Sequence, residues 1–80
     1  MKVDVSKLLY EILEDDRVYD ENFDLIKNEL LDSLLYIELF TSLEDNGVIL
    51  YPTRIDRECL RTPKSIQKLV DDYINNNSIS

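Results

Sequence analysis

The stretch Leu30-Leu31-Asp32-Ser33-Leu34-Leu35-Tyr36-Ile37-Glu38-Leu39 holds the most chemical promise in the chain. It sets a carboxylate and a hydroxyl side by side where a helix is about to begin. Two roles suit Ser33. It can be a plain N-cap, its hydroxyl accepting a hydrogen bond from a first-turn amide, with Asp32 a favourable anion at the positive end of the helix dipole. Or it can carry a phosphodiester, because the free amides and the dipole at a helix N-terminus favour an attached phosphate. The residue types alone leave both open.

Other candidates are weaker. Asp20-Glu21-Asn22-Phe23-Asp24 offers oxygen ligands at positions 1, 3 and 5 of a calcium loop. Position 6 is then Leu25 where glycine is required, and position 12 is Leu31 where glutamate is required. Cys59 is the one cysteine, which excludes an internal disulfide and a cysteine-built metal site. One turn after Ile55, it reads as a small core residue. The chain has no histidine, so the usual general base and the commonest metal ligand are both missing. Asp15-Asp16 and Asp71-Asp72 read as solvated helix ends. Asn76-Asn77-Ser78 matches a glycosylation sequon, silent in a cytoplasmic chain.

The 80 residues suffice for one domain with a thin core. That size argues against an enzyme with a deep cleft and for a binding, adaptor or carrier module. With 44% hydrophobic and 32% charged residues, the composition is globular. The net charge of −8 makes nucleic acid an improbable partner and calls for partners with basic patches. The excess sits in residues 1–53, and no Lys or Arg occurs between Asn28 and Thr53. No segment approaches the roughly 20 apolar residues of a membrane span, and Met1-Lys2-Val3-Asp4 does not open a signal peptide. A cytoplasmic location is expected.

The elements that must position Ser33 are helical. Val5, Leu8, Leu9, Ile12 and Leu13 follow the i, i+3, i+4, i+7, i+8 pattern of an amphipathic helix ending near Glu14-Asp15-Asp16. From Arg17 to Asp32 the period is lost. Scattered apolar anchors (Val18, Tyr19, Phe23, Leu25, Ile26, Leu30, Leu31) predict a long connection that packs over the core. A second helix is predicted from Ser33 to Asn46, stopped by Asn46-Gly47. Its core face is Leu35, Tyr36, Leu39, Phe40 and Leu43. The opposite face carries Leu34, Glu38, Thr41 and Asp45, with Ile37 and Glu44 on one shoulder and Ser42 on the other. Exposed Leu34 and Ile37 among unpaired acids suggest a partner-docking face. Ile49-Leu50-Tyr51-Pro52 is extended, and a short helix is predicted from Thr53 to Leu60. Thr62-Pro63 starts a last helix that turns Ile66, Leu69, Val70 and Tyr73 inward and frays into the Asn run. The expected result is an all-α single domain, ordered over about residues 3–74 with a frayed tail at 75–80.

Asp32-Ser33-Leu34 followed by Glu38-Leu39 resembles the phosphopantetheine attachment motif of acyl and peptidyl carrier proteins. The likeness covers nearly the whole chain: an amphipathic first helix, a long acidic loop, this motif opening the second helix, a short third helix and a closing fourth. It implies a four-helix carrier-protein bundle with a 4'-phosphopantetheine arm on Ser33, holding an acyl or aminoacyl group as a thioester. Within the family, Glu29-Leu30-Leu31-Asp32-Ser33 and Ile55-Asp56-Arg57-Glu58-Cys59-Leu60-Arg61-Thr62-Pro63-Lys64-Ser65-Ile66 are similar to the corresponding segments of D-alanyl carrier proteins. Those proteins serve teichoic acid D-alanylation, and hence cell-wall biogenesis, in Gram-positive bacteria. Two positions depart. Leu30 and Leu31 stand where many members place a glycine, and Leu34, as in fatty-acid carriers, stands where D-alanyl carriers often have Phe.

The resemblance implies a monomeric, non-enzymatic carrier. Asp32 would help a phosphopantetheinyl transferase recognise the site. Leu34, Ile37, Glu38, Thr41, Glu44 and Asp45 would dock partners in turn. These are an adenylating ligase, D-alanine-specific in the narrower likeness, and an acceptor transferase, including a membrane-bound one. Large Tyr36 and Phe40 on the inner face favour a small aminoacyl cargo over a fatty one. The alternatives are a fatty-acyl, polyketide or peptide-pathway carrier, or an acidic helical interaction module in which Ser33 is only a cap.

Overall fold

In the computed structural model, which describes residues 3–77, the chain forms three α-helices joined by irregular segments and three 3-10 turns. Helix α1 spans Val5–Leu13, α2 Ser33–Asp45 and α3 Pro63–Asn77; the 3-10 turns are Asp16–Tyr19, Pro52–Arg54 and Arg57–Leu60. No strand occurs among the described residues.

Each helix starts and stops for a local reason. Asp4 caps α1, its side chain accepting from the Lys7 amide at 3.2 Å. The helix ends at Glu14, which turns left-handed (φ 55°) and donates its amide to the Tyr10 carbonyl. Helix α2 ends as its Asn46-Gly47 signal predicts. Gly47, the only glycine in the chain, takes φ 85° and donates to the Glu44 carbonyl, while the Val48 amide reaches the Leu43 carbonyl at 2.8 Å. Val48 and Leu43 are both buried, which seals this stop with apolar contact. At α3, Thr62 and Ser65 exchange hydrogen bonds: the Ser65 amide donates to Thr62 Oγ1 and the Thr62 amide to Ser65 Oγ. That reciprocal pair, with Pro63 in the first helical position, satisfies donors that the helix start leaves open.

The three helices converge on an aliphatic core of Val5, Leu9, Val18, Leu25, Leu31, Leu35, Leu39, Leu43, Leu60, Ile66 and Val70, joined by Val3 and Val48. Burying each such side chain is worth about 1.5–3 kcal/mol relative to exposure. Helix α1 packs against both α2 and α3. It is also tied to α3 by Gln67, whose Oε1 accepts from the Val5 amide at 2.9 Å and whose Nε2 donates to the Val3 carbonyl at 2.7 Å. One side chain of α3 thus satisfies backbone groups on both sides of the α1 start.

Two sequence expectations need correction. The predicted short helix from Thr53 to Leu60 is two 3-10 turns separated at Ile55 and Asp56. Asp56 breaks it: extended at ψ 135°, its side chain takes the Glu58 amide and so starts a new turn at Arg57. Ile55 and Cys59 therefore do not share a helical face, and Cys59 is half-buried outside the core cluster. The last helix runs as far as Asn77, and residues 78–80 of the expected tail, with Ser78 of the sequon, lie outside the described residues. The long connection does pack over the core: Val18, Leu25 and Leu31 are buried, Phe23, Ile26 and Leu30 partly so, and a 3-10 turn forms at Asp16–Tyr19.

Candidate functional site

The approach to α2 is built on buried leucines. Leu25 and Leu31 sink into the core on either side of a tight turn, in which the Leu30 and Leu31 amides both donate to the Leu25 carbonyl. Glu29 takes the left-handed conformation (φ 57°) that lets the chain double back. With Leu31 held inside, the next residue is the first that can face a helix end, and that residue is Asp32.

Asp32, not Ser33, is the N-cap of α2. It is extended (φ −112°, ψ −177°), and its Oδ1 accepts from the Leu35 amide at 2.8 Å. The Tyr36 amide makes the first intrahelical bond, to the Asp32 carbonyl at 3.0 Å. Ser33 is then the first residue of the helix and is exposed. This corrects the N-cap reading of Ser33: among the described residues no hydrogen bond of the Ser33 side chain is formed, and the capping duty lies with its neighbour. The amides of Ser33 and Leu34 precede the first residue able to bond within the helix, so both point outward beside the hydroxyl.

The rest of α2 presents the expected outer face. Leu34 is 62% exposed and Ile37 66%, and Glu38, Thr41, Glu44 and Asp45 are all exposed. On the inner face Leu35, Leu39 and Leu43 are buried. Tyr36 and Phe40 lie on the core side, as the helical wheel has them, but pack against the core from its edge. They are half-buried, stack with ring centroids 6.0 Å apart, and line an open groove along the flank of α2. The groove has a volume of about 740 Å³ and starts at Ser33. Tyr36, Ile37, Phe40, Thr41 and Glu44 form one wall, and Ile49, Leu50 and Tyr51 form the other.

Of the six expected docking residues, Ile37, Thr41 and Glu44 border this groove together with Ser33, whereas Leu34 and Asp45 do not. Glu38 faces the other flank, in a shallower hollow shared with Glu11 and Ile12 of α1. The sequence places Ile49, Leu50 and Tyr51 in an extended stretch but does not link them to the site. Their signal was three consecutive apolar residues in an extended stretch, which cannot all face one core; Ile49 and Tyr51 are exposed.

The acids of the rejected calcium loop have structural work. Asp20 accepts from the Asn22 amide. Asp24 accepts from the Lys27 amide at 2.7 Å and pairs with Arg61 at 2.7 Å. The Lys27 amide, and then Arg61, hold the Asp24 carboxyl below its ordinary pKa. Arg61 also binds both oxygens of Glu58, keeping that carboxyl low and its own guanidinium high. Arg57 approaches the Leu31 carbonyl at 3.4 Å, close to the start of α2.

Chemically, the arrangement offers a free hydroxyl at a helix N-terminus, a carboxylate beside it, and an apolar groove leading away. No described helix is long and apolar enough to cross a membrane. No family model matches the chain, and no match was found among curated proteins.

Proposed function

We propose that the chain is a carrier protein, modified on Ser33 with 4'-phosphopantetheine, that holds an acyl or aminoacyl group as a thioester and passes it between partner enzymes. The observation that carries this reading is the division of labour at the start of α2. Asp32 caps the helix, which leaves the Ser33 hydroxyl exposed and without a structural task. A serine needed only for folding would occupy the cap.

The groups present fit such an arm. In the modification, Ser33 Oγ attacks the phosphorus that joins the pantetheine to the nucleotide in coenzyme A. An Oγ–P bond forms, the pyrophosphate bond breaks, the nucleotide bisphosphate leaves, and the serine proton passes to a base on the transferase. The resulting phosphodiester would lie at the positive end of α2, where the first-turn amides and dipole favour an anion. Once bound, the arm supplies a thiol for thioester chemistry, and the protein contributes only presentation. Tethering keeps the cargo at high effective concentration for each partner. In this reading the broken segment between Pro52 and Leu60 takes the place of the short third helix of a carrier bundle.

The acidic outer face of α2, with Leu34 and Ile37 set in it, suits weak docking onto basic surfaces. The transferase, an adenylating ligase and an acceptor transferase are the proposed partners, and the cytoplasm the proposed location. D-Alanine is the proposed cargo, on the likeness of residues 29–33 and 55–66 to D-alanyl carriers. One observation favours a second cargo class. The groove beside Ser33 is walled by Tyr36, Phe40, Leu50 and Tyr51, and an apolar chain could lie in it.

The test is incubation with coenzyme A, Mg²⁺ and a broad-specificity phosphopantetheinyl transferase, read by intact mass. One arm on the wild type and none on Ser33→Ala is expected; an unmodified wild type refutes the reading. Offering the modified protein D-alanine, other amino acids and fatty acids with their activating enzymes then identifies the cargo. Loading by fatty acids alone would remove the D-alanyl assignment and leave the carrier role standing.

A further inference from the structure

We propose that Arg61 is a positioning residue for Ser33, pinning the 24–31 turn to the Arg57–Leu60 turn and so fixing where α2 begins. The inference deepens the carrier reading and rests on it.

Arg61 grips the turn in two ways. Its backbone carbonyl accepts from the Leu25 amide at 2.6 Å, and its Nη1 donates to Asp24 Oδ2 at 2.7 Å. Its Nε and Nη2 hold Glu58 Oε2 and Oε1 at 2.7 and 3.0 Å, which locks the guanidinium in one orientation. The gripped residues begin a closed unit. Asp24 accepts from the Lys27 amide through Oδ1 and from the Asn28 side chain through its carbonyl, and the Leu25 carbonyl collects the Leu30 and Leu31 amides. Leu31 leaves this unit buried, Asp32 caps α2, and Ser33 follows. Only Asp32 separates the closed turn from the attachment point, so a shift of the turn carries Ser33 with it.

The Arg61 side chain is 38% exposed, and an ion pair that open to solvent stabilises little by itself. Its effect lies in what it separates. Asp24 and Glu58 flank the same guanidinium, and the Asp24 charge already acts unfavourably on Glu58. Without the cation, two carboxylates confront each other across the joint between the turns, and repulsion favours the open joint. The open form presents Ser33 wrongly. Apparent affinity for the transferase then falls by the fraction of time the joint is closed, while turnover in the assembled complex is kept.

The experiment compares apo wild type, Arg61→Gln, Arg61→Gln with Glu58→Gln, and Gln67→Ala. The last loosens the α1–α3 tie without touching the turn. Modification rates are measured against carrier concentration, and amide exchange at Leu30, Leu31 and Val70 is followed in the same proteins. For Arg61→Gln, KM for the carrier is expected to rise roughly 3–10-fold with kcat retained, and exchange at Leu30 and Leu31 to speed up by a similar factor while Val70 is unchanged. Adding Glu58→Gln removes the repulsion and is expected to bring KM back toward the wild-type value. A wild-type KM and wild-type exchange in Arg61→Gln overturn the proposal, and so does an equal rise in KM for Gln67→Ala. Failure of the wild type to be modified at all refutes the carrier reading and the proposal with it, whereas a modified wild type with an unaffected Arg61→Gln refutes the proposal alone.

Discussion

Ser33 and Asp32 are neighbours with opposite duties, and replacing them one at a time separates structure from function. Asp32 Oδ1 holds the Leu35 amide at 2.8 Å, so Asp32→Ala removes a working N-cap. The expected loss is about 1 kcal/mol. For a domain of 80 residues that corresponds to a fall in Tm of about 4–8 °C. Asp32→Asn keeps an oxygen in the same place, and asparagine caps as well as aspartate, so its Tm should stay close to wild type. Ser33→Ala removes an exposed hydroxyl with no partner at the first helical position, and its effect should stay within about 0.5 kcal/mol. The four proteins are melted side by side and then offered to the transferase with coenzyme A. Ser33→Ala should be stable and unmodified. Asp32→Asn should be stable and modified more slowly, because the carboxylate is the proposed recognition group. Asp32→Ala should be both less stable and slower. A Ser33→Ala protein as destabilised as Asp32→Ala would mean that Ser33 does the capping, and the reasoning from the free hydroxyl would fail. Equal modification of Asp32→Asn and wild type would remove Asp32 from recognition.

Three further outcomes are expected. Gln67→Ala strands the Val5 amide and the Val3 carbonyl at the start of α1, at a cost of about 1–3 kcal/mol read from the urea midpoint; no loss would show that water replaces the side chain freely. Leu34→Asp and Ile37→Asp should leave Tm nearly unchanged, since both side chains are exposed, yet weaken partner docking as measured by KM for the adenylating ligase; unaltered KM values would move the docking face elsewhere. Stability should also fall in acid. The carboxyls of Asp15, Asp24 and Glu58 are held low in the folded protein, mainly by the Arg17 side chain, the Lys27 amide and the Arg61 side chain in turn. The unfolded chain therefore takes up protons first, so their stabilisation is complete above the ordinary carboxylate pKa of ~4 and disappears as the pH drops through the lower folded values. With no histidine to titrate, urea midpoints should be flat from about pH 6 to 8 and decline below about pH 4, less steeply in Arg61→Gln. An equally steep decline in that variant would deny Arg61 its part.

Much of this fold is written locally. The 3.6-residue period marks α1 and α3, and Asn46-Gly47 and Thr62-Pro63 end and begin helices within a residue of where the structure has them. Leu35, Leu39 and Leu43 are core residues of α2, as their spacing demands. What the sequence conceals depends on the meeting of distant segments. Asp and Ser are both good caps, so Asp32-Ser33 is ambiguous until the burial of Leu31 decides which of them meets the helix end. Gln67 looks like one more polar residue on a surface helix until α1 arrives from more than sixty residues away to claim both ends of its amide. Asp24 and Arg61 lie 37 positions apart, and no periodicity links them. The segment 53–60 misleads for a different reason. Its composition suits a helix, but Asp56 prefers to bond the backbone ahead of it and cuts the segment in two. Tyr36 and Phe40 fall on the inner half of the helical wheel, yet the stretch 49–51 stands off far enough to leave a groove between.

The buried core among the described residues is entirely aliphatic, and this gives the molecule an optical property. With no tryptophan and five tyrosines, its ultraviolet emission comes from rings at the margins of the fold rather than from its centre. Tyr10 and Tyr19 face each other on α1 and the Asp16–Tyr19 turn, while Tyr36 and Tyr51 stand on opposite walls of the groove that opens at Ser33. Anything that settles into that groove displaces water from two native fluorophores at once. The chain thus carries an intrinsic reporter beside the exposed Ser33 hydroxyl, and occupancy of the groove can be followed in real time without a label.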